Sequence, residues 1–384
     1  MLPKRVYMAV NLDNIQKNVR SVMNRLGDVK IMGIVKADAY GHGAVEVAEA
    51  LSEIEVTELG VATVGEAVEL RRNGITCAIL VLGRIFNEDI PLAVKYGISI
   101  TVSDIDGARA ISAEAKNQGK TADVYIKIDT GMGRIGFQPD NDGFESIKSI
   151  FDLDRLNILG AFTHFACADC VDKTSANVQR DRFLSFTDRI IAAGYSLPVR
   201  HMYNSASAME LDGYAGDMVR LGIMMYGLYP SDEMNREYRL YPAMELKSSI
   251  AFIKDVREGF TVSYGSTFTT ERATKIATVP VGYADGYPRY LSNKGEVIIN
   301  GVRCPIIGRV CMDQFMVDIS AVPNAAVGDE VTLIGTDGGE TITVEDLSDG
   351  VYRFNYEFCC LITKRVPRVY IKNGEIVKIK DIYE

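Results

Sequence analysis

Short apolar runs alternate with amphipathic stretches along roughly the first 230 residues. The runs are rich in β-branched residues, as is typical of strands buried on both faces of a parallel sheet. They are IMGIVKAD (31–38), ELGVATV (58–64), CAILVLG (77–83), ISITVS (98–103), ADVYIKIDT (122–130), LNILGAFTHF (156–165), PVRHMYNS (198–205) and DMVRLGIMMYG (217–227). Helix signals lie between them, for example an Asp start and a Gly stop over 104–119 and helical periodicity over 175–194. Eight such units predict a (β/α)8 TIM barrel with its site at the C-terminal strand ends. An open doubly wound sheet is the alternative, although no G-x-G-x-x-G follows an early strand.

The rhythm changes after about residue 235, where closely spaced strands are separated by Gly, Asn and Asp. This pattern predicts a C-terminal, mostly antiparallel β domain. We place the boundary in the polar stretch PSDEMNREYR, which gives a barrel domain over 1–234 and a β domain over 235–384. The strand VYMAVN (6–11) precedes the first barrel helix, so it could pair with the second domain.

Composition narrows the class of protein. The 384 residues include 42 Lys+Arg and 51 Asp+Glu, a net charge of −9 that argues against nucleic acid as the main partner. No apolar run approaches the roughly 20 residues that span a bilayer, and no signal segment is visible, so we expect a cytoplasmic protein without membrane attachment. Seven cysteines form no disulfide framework. Cys167 and Cys170 form a C-x-x-C, but further metal ligands are not visible, and we expect no metal.

The segment GIVKADAYGHG (33–43) holds the first candidate for chemistry. Lys36 follows an apolar strand and precedes a polar, Gly-rich stretch. It could be a structural Lys that buries its stem and keeps its amine in water. It could equally be a desolvated amine at the barrel mouth, with a lowered pKa that allows a Schiff base with a carbonyl cofactor.

The string VKADAYGHG closely resembles the pyridoxal-phosphate attachment site of the alanine racemase family, of fold type III. Further matches occur in order over nearly the whole chain. They are KIDTGMGRIGF (127–137), THFACAD (163–169), HMYNSAS (201–207), VRLGIMMYGLYP (219–230), VSYGSTF (262–268), VGYADGYPR (281–289), GRVCMDQFMVDI (308–319) and NYEFCCLITKRVPRVY (355–370). The resemblance implies the same barrel and β domain, pyridoxal phosphate as cofactor, and interconversion of L- and D-alanine. D-Alanine is a peptidoglycan precursor, and the sequence leaves open whether this protein serves D-alanine synthesis or alanine breakdown.

The resemblance also implies the two bases that racemisation requires, since one base on one face would return the same enantiomer. Lys36 matches the residue that carries the cofactor and acts on the D-isomer. Tyr264 matches the base for the L-isomer, which reaches the site from the other subunit of a homodimer. A phenol with an ordinary pKa of about 10 is a poor base at pH 7, so it needs a cationic or hydrogen-bonding neighbour. His164 could provide one; alternatively, Tyr264 is a strand-end aromatic and His164 a core histidine.

Other matches concern the cofactor. Arg220 would face its pyridine nitrogen and, as a donor only, hold that nitrogen unprotonated; alternatively, it is a rim Arg bonded to a carboxylate. The barrel rule puts phosphate sites after strands seven and eight, where Ser205 offers a hydroxyl and Gly222 and Ile223 offer N–H groups. Ser205 could instead be a helix N-cap. By resemblance, Tyr40 and Tyr356 are phosphate-binding phenols.

The last matches concern the substrate. By resemblance, Arg134 bonds the cofactor's phenolic oxygen and the substrate carboxylate. Lys127 would be carbamylated and orient that Arg; alternatively, it is a surface Lys. Met312 would contact the substrate carboxylate across the dimer, and Tyr283 would gate the entrance, although both residue types usually pack. Tyr203 and Leu221 depart from the family pattern, which has a small residue and Pro there.

Three other functions remain as alternatives. A decarboxylase on the same plan would typically have a Gly-rich phosphate loop and an acidic partner for the pyridine nitrogen, where this chain has Arg220. A serine or broad-specificity racemase is harder to separate, because small apolar pockets reject an added hydroxyl poorly. A cofactor-binding regulatory protein would not need Tyr264.

Overall fold

The computed structural model of the protein describes residues 2–211, 213, 216–349 and 354–382. The chain divides into two compact units. The barrel unit comprises Asn14–Ala39 and Ala44–Tyr241. The β unit comprises Met1–Asp13, Tyr40–Gly43 and Pro242–Glu384.

Strands and helices alternate through the first part of the chain. In order, the elements are β1 (Val6–Asn11), α1 (Leu12–Leu26), β2 (Lys30–Ile34), α2 (Lys36–Tyr40), α3 (Ala44–Ser52), β3 (Glu58–Val61), α4 (Val64–Arg72), β4 (Ala78–Val81), α5 (Ile90–Lys95), β5 (Ser99–Val102), α6 (Ile105–Asn117), β6 (Ala122–Lys127), α7 (Asn141–Phe151), β7 (Leu156–Phe162), α8 (Thr174–Ala192), β8 (Val199–His201), α9 (Ser205–Glu210) and β9 (Met218–Leu221). Strands β2 to β9 are those that the eight apolar runs predict. The side chain of Asp104 caps α6 by accepting from the Gly107 N–H, as the Asp start suggests.

Eight parallel strands form the sheet of the barrel unit, in the order β8-β7-β6-β5-β4-β3-β2-β9. The N–H of Asp217 donates to the carbonyl of Arg200 at 2.9 Å and that of Arg220 to the carbonyl of Tyr203 at 3.0 Å, so the two end strands are also joined. The (β/α)8 barrel prediction is confirmed. Strands β5 and β9 are buried at every position, as expected when both faces are covered.

The remaining elements belong mainly to the β unit. They are β10 (Met244–Ser249), β11 (Phe252–Val256), β12 (Thr261–Val262), β13 (Phe268–Thr269), β14 (Thr274–Val279), β15 (Glu296–Ile299), β16 (Val302–Ile307), β17 (Phe315–Asp318), β18 (Glu330–Asp337), β19 (Glu340–Ile342), α10 (Val344–Asp349), α11 (Asn355–Leu361), β20 (Arg368–Lys372) and β21 (Glu375–Lys380). Short 3-10 segments lie at Ile223–Tyr226, Tyr264–Ser266, Tyr283–Asp285 and Arg289–Leu291.

The main sheet of the β unit has the order β11-β14-β17-β16-β15-β18-β10-β1-β20-β21, with β19 beside β18. Its pairings are antiparallel except for the parallel pair β1–β20. The mostly antiparallel β domain is therefore confirmed, and β1 lies between β10 and β20. A separate hairpin, β12–β13, encloses Tyr264. None of the described helices is both long and apolar enough to cross a membrane.

Candidate active site

Lys36 stands two residues beyond the end of β2, at the C-terminal end of a barrel strand, and is half-buried. The backbone after it is left-handed, with φ of 52°, 52° and 54° at Ala37, Asp38 and Ala39 and 53° at Tyr40. For L-residues this conformation costs about 1–2 kcal/mol per residue, and such strain clusters at functional sites. The turn therefore points to a function for Lys36 rather than a routine strand end.

Carboxylates hold the turn in this conformation. Glu66 Oε1 accepts from the N–H of Ala37 at 2.7 Å, while its Oε2 accepts from the N–H of Thr63 at 3.1 Å as part of the capping box of α4. Asp38 Oδ1 accepts from the N–H of Ala44 at 2.8 Å, at the start of α3. The backbone on the C-terminal side of Lys36 is thus fixed to two helix starts.

Arg220 lies on the buried strand β9 and is 4% exposed. Its guanidinium donates to the carbonyls of Thr163 at 2.7 Å and of His201 at 3.0 Å. It also approaches Nδ1 of His201 at 3.0 Å and Nδ1 of His164 at 3.3 Å. Because a guanidinium only donates, both Nδ1 atoms accept and each imidazole carries its proton on Nε2. These bonds offset the cost of burying the charge.

The two histidines beside Arg220 are neutral. Burial, followed by the positive charge of Arg220, holds the pKa of His164 well below its ordinary value, and the same causes act on His201. Of the two ways in which His164 could assist Tyr264, its lowered pKa favours hydrogen bonding over a cationic contact. His201 is fully buried and stacks on Phe162, with ring centroids 4.9 Å apart.

Lys127 is the last residue of β6 and only 2% exposed, so the surface-lysine alternative is wrong. Its Nζ donates to the carbonyl of Ile128 at 2.9 Å and lies 5.5 Å from the ring centroid of Phe162. Burial, followed by the charge of Arg220, lowers the pKa of Lys127 to about 7. A substantial fraction of this amine is therefore uncharged and nucleophilic at neutral pH.

The loop after β6 folds back on its own strand. The N–H of Phe137 donates to the carbonyl of Lys127 at 2.9 Å, and Asp129 accepts from the N–H groups of Gly131 and Gly133. Burial alone would raise the pKa of Asp129, but these N–H groups outweigh it and hold that pKa below its ordinary value. The loop presents Arg134 in an exposed position.

The segment between β8 and α9 brings a hydroxyl beside a backbone amide. Ser205 Oγ accepts from the N–H of Gly222 at 2.9 Å. The N-cap of α9 is Asn204, whose side chain accepts from the N–H of Ser207, so the expectation of Ser205 as N-cap is wrong. Ser205 is instead the first helical residue and faces the start of the Gly222–Ile223 segment, as the barrel rule anticipates.

The two departures from the family pattern are both buried. Tyr203 is fully buried, packs edge-on against Phe165 and donates from its hydroxyl to the carbonyl of Gly213 at 3.3 Å. Leu221 is fully buried as the last residue of β9. Both side chains contribute to the core of the barrel unit.

Tyr40 and Tyr356 lie together in the β unit, with ring centroids 5.9 Å apart. Tyr40 is 7% exposed, and burial, with the neighbouring Cys360, raises the pKa of its phenol above the ordinary value. Its hydroxyl therefore stays protonated at neutral pH and can donate a hydrogen bond.

Tyr264 lies in the turn between β12 and β13 and is 70% exposed. The turn is strained at Ser263, whose φ is 66°, and Ser263 Oγ donates to the carbonyl of Arg309 at 2.7 Å. The Tyr264 side chain is therefore not part of the core of the β unit.

Met312 and Tyr283 occupy two segments that contact each other. The N–H of Tyr283 donates to the carbonyl of Cys311 at 3.1 Å, and that of Ala284 donates to the carbonyl of Met312 at 3.0 Å. The side chains are 42% exposed at Tyr283 and 53% at Met312, so neither is a core packing residue.

Two residues near His164 were not singled out from the sequence. His201 is one, and Gln179 of α8 is the other: its amide donates to the carbonyl of His164 at 3.0 Å and accepts from the N–H of Ala166 at 2.9 Å. Gln179 is 2% exposed. An amide on the apolar stripe of α8 is the signal that could have indicated it.

The C-x-x-C motif has two free thiols, Cys167 and Cys170, whose sulfurs share a hydrogen bond. Among the residues that the structure describes, no three His, Cys, Asp or Glu side chains are grouped so as to hold a metal ion.

Family models match most of the chain. The model described as alanine racemase, N-terminal domain, matches residues 10–230, and that described as alanine racemase, C-terminal domain, matches residues 243–370. Among curated proteins, the alanine racemase of Clostridium novyi (strain NT) is 43% identical over 378 residues, covering 98% of both chains.

Solved structures agree over the full length. The alanine racemase of Clostridium difficile 630 superposes with a TM-score of 0.95 at 42% identity, covering 99% of both chains. The alanine racemase of Bacillus anthracis with bound L-Ala-P gives a TM-score of 0.93 at 36% identity, covering 100% of this chain and 99% of that one. With both family models, a full-length relative and the barrel-plus-β architecture in agreement, the chain belongs to the alanine racemase family.

Proposed function

We propose that this protein interconverts L-alanine and D-alanine with pyridoxal phosphate bound at Lys36. The observation that carries the proposal is the full-length similarity to alanine racemases. The proposed active unit is a cytoplasmic homodimer.

The donor groups suit the proposed cofactor. Its phosphate would be held by neutral donors, namely the Ser205 hydroxyl, the Gly222 and Ile223 N–H groups and the phenols of Tyr40 and Tyr356. Ser205 Oγ and the Gly222 nitrogen are already 2.9 Å apart at the C-terminal end of the barrel strands, where phosphates bind in this fold. Arg220 would donate to the pyridine nitrogen. When bound, pyridoxal phosphate supplies an electron sink that acidifies the Cα proton of an attached amino acid.

Two groups would then move that proton. Lys36 Nζ would exchange it on the D face, and the phenolic oxygen of Tyr264 would exchange it on the L face. The neutral His164 would orient the phenol through a hydrogen bond. Arg220, which cannot accept a proton, would keep the pyridine nitrogen unprotonated and so limit transamination.

Arg134 would bind the substrate carboxylate, and Lys127 would orient it as a carbamate. The uncharged Lys127 amine would attack CO2, forming an N–C bond and releasing one proton, so that a neutral amine becomes an anionic carbamate. The lowered pKa of about 7 favours this reaction, and the new charge would neutralise the repulsion from Arg220.

The homodimer proposal accounts for the exposed residues of the β unit. Tyr264, Met312 and Tyr283 are exposed on the described chain, and each would contribute to the site of the partner subunit. Met312 would contact the substrate carboxylate there, while Tyr283 would line the entrance.

Serine racemisation is the second candidate, because a small apolar pocket discriminates poorly against an added hydroxyl. The decarboxylase alternative is disfavoured by Arg220, whose buried cation takes the place of an acidic partner for the pyridine nitrogen.

The test is racemisation of L-alanine and L-serine, measured by deuterium incorporation at Cα. The purified protein should show an absorbance band at about 420 nm from lysine-bound pyridoxal phosphate. Borohydride treatment or Lys36→Ala should abolish this band. Absence of both the band and the exchange would overturn the proposal.

A further inference from the structure

Arg368 is a buried cation with no role in the function proposed above. It opens strand β20 within the VPRVY segment and is 5% exposed. Burying a guanidinium is costly unless its donors are satisfied, so its partners indicate what it holds in place. Its hydrogen-bond acceptors include backbone carbonyls of Gly41 and of the segment 362–366, both in the β unit.

The first segment is the end of the left-handed turn. Arg368 Nε and Nη2 both donate to the carbonyl of Gly41, at 3.2 and 3.1 Å. Gly41 follows Tyr40 directly and has a φ of 82°, and a Cβ atom built on it would lie 2.4 Å from the carbonyl oxygen of Cys359. The two hydrogen bonds thus fix the backbone directly after Tyr40.

The second segment is the C-terminal end of α11, the helix that carries Tyr356. Arg368 Nη2 donates to the carbonyl of Ile362 at 2.7 Å, and Nη1 donates to that of Thr363 at 2.6 Å. These residues directly follow Leu361, the last residue of α11. One guanidinium therefore ties together the two backbone segments that bear Tyr40 and Tyr356.

We propose that Arg368 is a positioning residue that sets the spacing of the Tyr40 and Tyr356 phenols for the cofactor's phosphate. The inference rests on the proposed function, because it takes the phosphate of pyridoxal phosphate as the ligand of the two phenols. Arg368 itself does not touch the phosphate; it acts through the carbonyls of Gly41, Ile362 and Thr363. A rigid pair of phenols binds the phosphate more tightly than the same phenols on independently moving segments.

A purely structural role for Arg368 predicts a different result. Loss of general stability would weaken binding of every form of the cofactor alike. Loss of phenol spacing would weaken only the part of the affinity that the phosphate supplies. Pyridoxal, which lacks the phosphate, separates the two. Its tendency to form a cyclic hemiacetal is the same for every variant and cancels in the comparison.

The experiment is a titration of the cofactor-free full-length protein with pyridoxal phosphate and with pyridoxal. The variants are Arg368→Lys and Tyr356→Phe. Lys247→Met serves as a matched control, because Lys247 is another buried cation of the β unit, 6% exposed, whose Nζ donates to Thr332 Oγ1. For Arg368→Lys we expect the dissociation constant of pyridoxal phosphate to rise about tenfold, while that of pyridoxal stays nearly unchanged. The ratio of the pyridoxal constant to the pyridoxal phosphate constant therefore falls about tenfold. Tyr356→Phe should change the same ratio in the same direction, whereas Lys247→Met should leave it unchanged.

A second variant covers the case in which Arg368→Lys does not fold. Gly41→Ala disturbs the same contact between the left-handed turn and α11, since the added Cβ atom would meet the Cys359 carbonyl. It should therefore also weaken binding of pyridoxal phosphate and leave binding of pyridoxal nearly unchanged. Equal weakening of both ligands, or no change in the ratio in either variant, would overturn the inference. Failure of the unaltered protein to bind either ligand would instead overturn the proposed function.

Discussion

Arg220 and His164 are joined by a contact of 3.3 Å between guanidinium Nη2 and imidazole Nδ1. Because the guanidinium cannot accept, this contact fixes the tautomer of His164 and, with burial, keeps its ring uncharged. The proton on Nε2 is then available as a hydrogen-bond donor. His164 could therefore assist a catalytic phenol as a neutral hydrogen-bond donor rather than as a cation.

The charge state of His164 can be tested by NMR of its ring. We expect no titration of the His164 signals between pH 6 and 8, since burial and Arg220 lower its pKa. In Arg220→Gln the nearby cation is lost, so the pKa of His164 should rise and its signals should move at a higher pH than in the unaltered protein, although burial still holds that pKa down. His201, whose Nδ1 also contacts Arg220, should respond in the same direction. An ordinary titration of His164 in the unaltered protein would contradict this account.

Lys127 should make stability depend on pH. Its pKa is about 7 in the folded protein against 10.5 ordinarily, so between these values the unfolded chain binds a proton that the folded chain does not. Stability therefore rises with pH in this window, and the full penalty for charging Lys127 applies below pH 7. Relative to Lys127→Met, we expect a gain in the free energy of unfolding of about 2 kcal/mol from pH 7 to pH 9.

The Lys127 measurement is urea unfolding in CO2-free buffer, which prevents carbamylation. Lys116→Met is the control, because Lys116 is an exposed lysine of the same unit and should show no such difference. A constant difference between the unaltered protein and Lys127→Met across this pH range would show that the amine is not desolvated.

Carbamylation of Lys127 has its own readout. Protein equilibrated with 13C-bicarbonate should give a protein-bound carbamate signal by NMR, and Lys127→Met should abolish it. An identical signal in both proteins would place the modification elsewhere, and no signal in either would contradict it.

Tyr264→Phe should slow racemisation by two orders of magnitude or more in both directions, on the scale of losing a general base, while the absorbance of the bound cofactor is retained. Tyr290→Phe is a matched control, since Tyr290 is another exposed tyrosine of the β unit, 43% exposed. Full activity of Tyr264→Phe would exclude it as a base.

Mixing subunits tests whether the site is shared. Lys36→Ala and Tyr264→Phe subunits, each inactive alone, should regain part of the activity as heterodimers, because one of the two sites would then contain both intact residues. Heterodimers verified by mass but devoid of activity would argue against a partner-chain Tyr264.

Much of this protein follows from its sequence. The eight apolar runs predict parallel strands buried on both faces, and the closely spaced runs beyond residue 235 predict the β sheet. The runs favour a closed barrel over an open sheet, and the structure confirms the barrel. The position of Lys36 after such a run, and the ordered family motifs, identify the family and the candidate chemistry. These features depend on residues that are close together in the chain, so the sequence alone predicts them.

Only the tertiary structure decides the state of those groups. It buries Lys127, which the sequence allows at the surface. It lowers the pKa of His164 by burial and by the charge of Arg220, 56 residues away. It pairs Ser205 with Gly222, where the pattern also allows a helix cap, and it ties Arg368 to Gly41 across 327 residues. A pKa or a hydrogen-bond partner depends on the dielectric and the neighbours around an atom, and those are set by packing between residues that are distant in sequence.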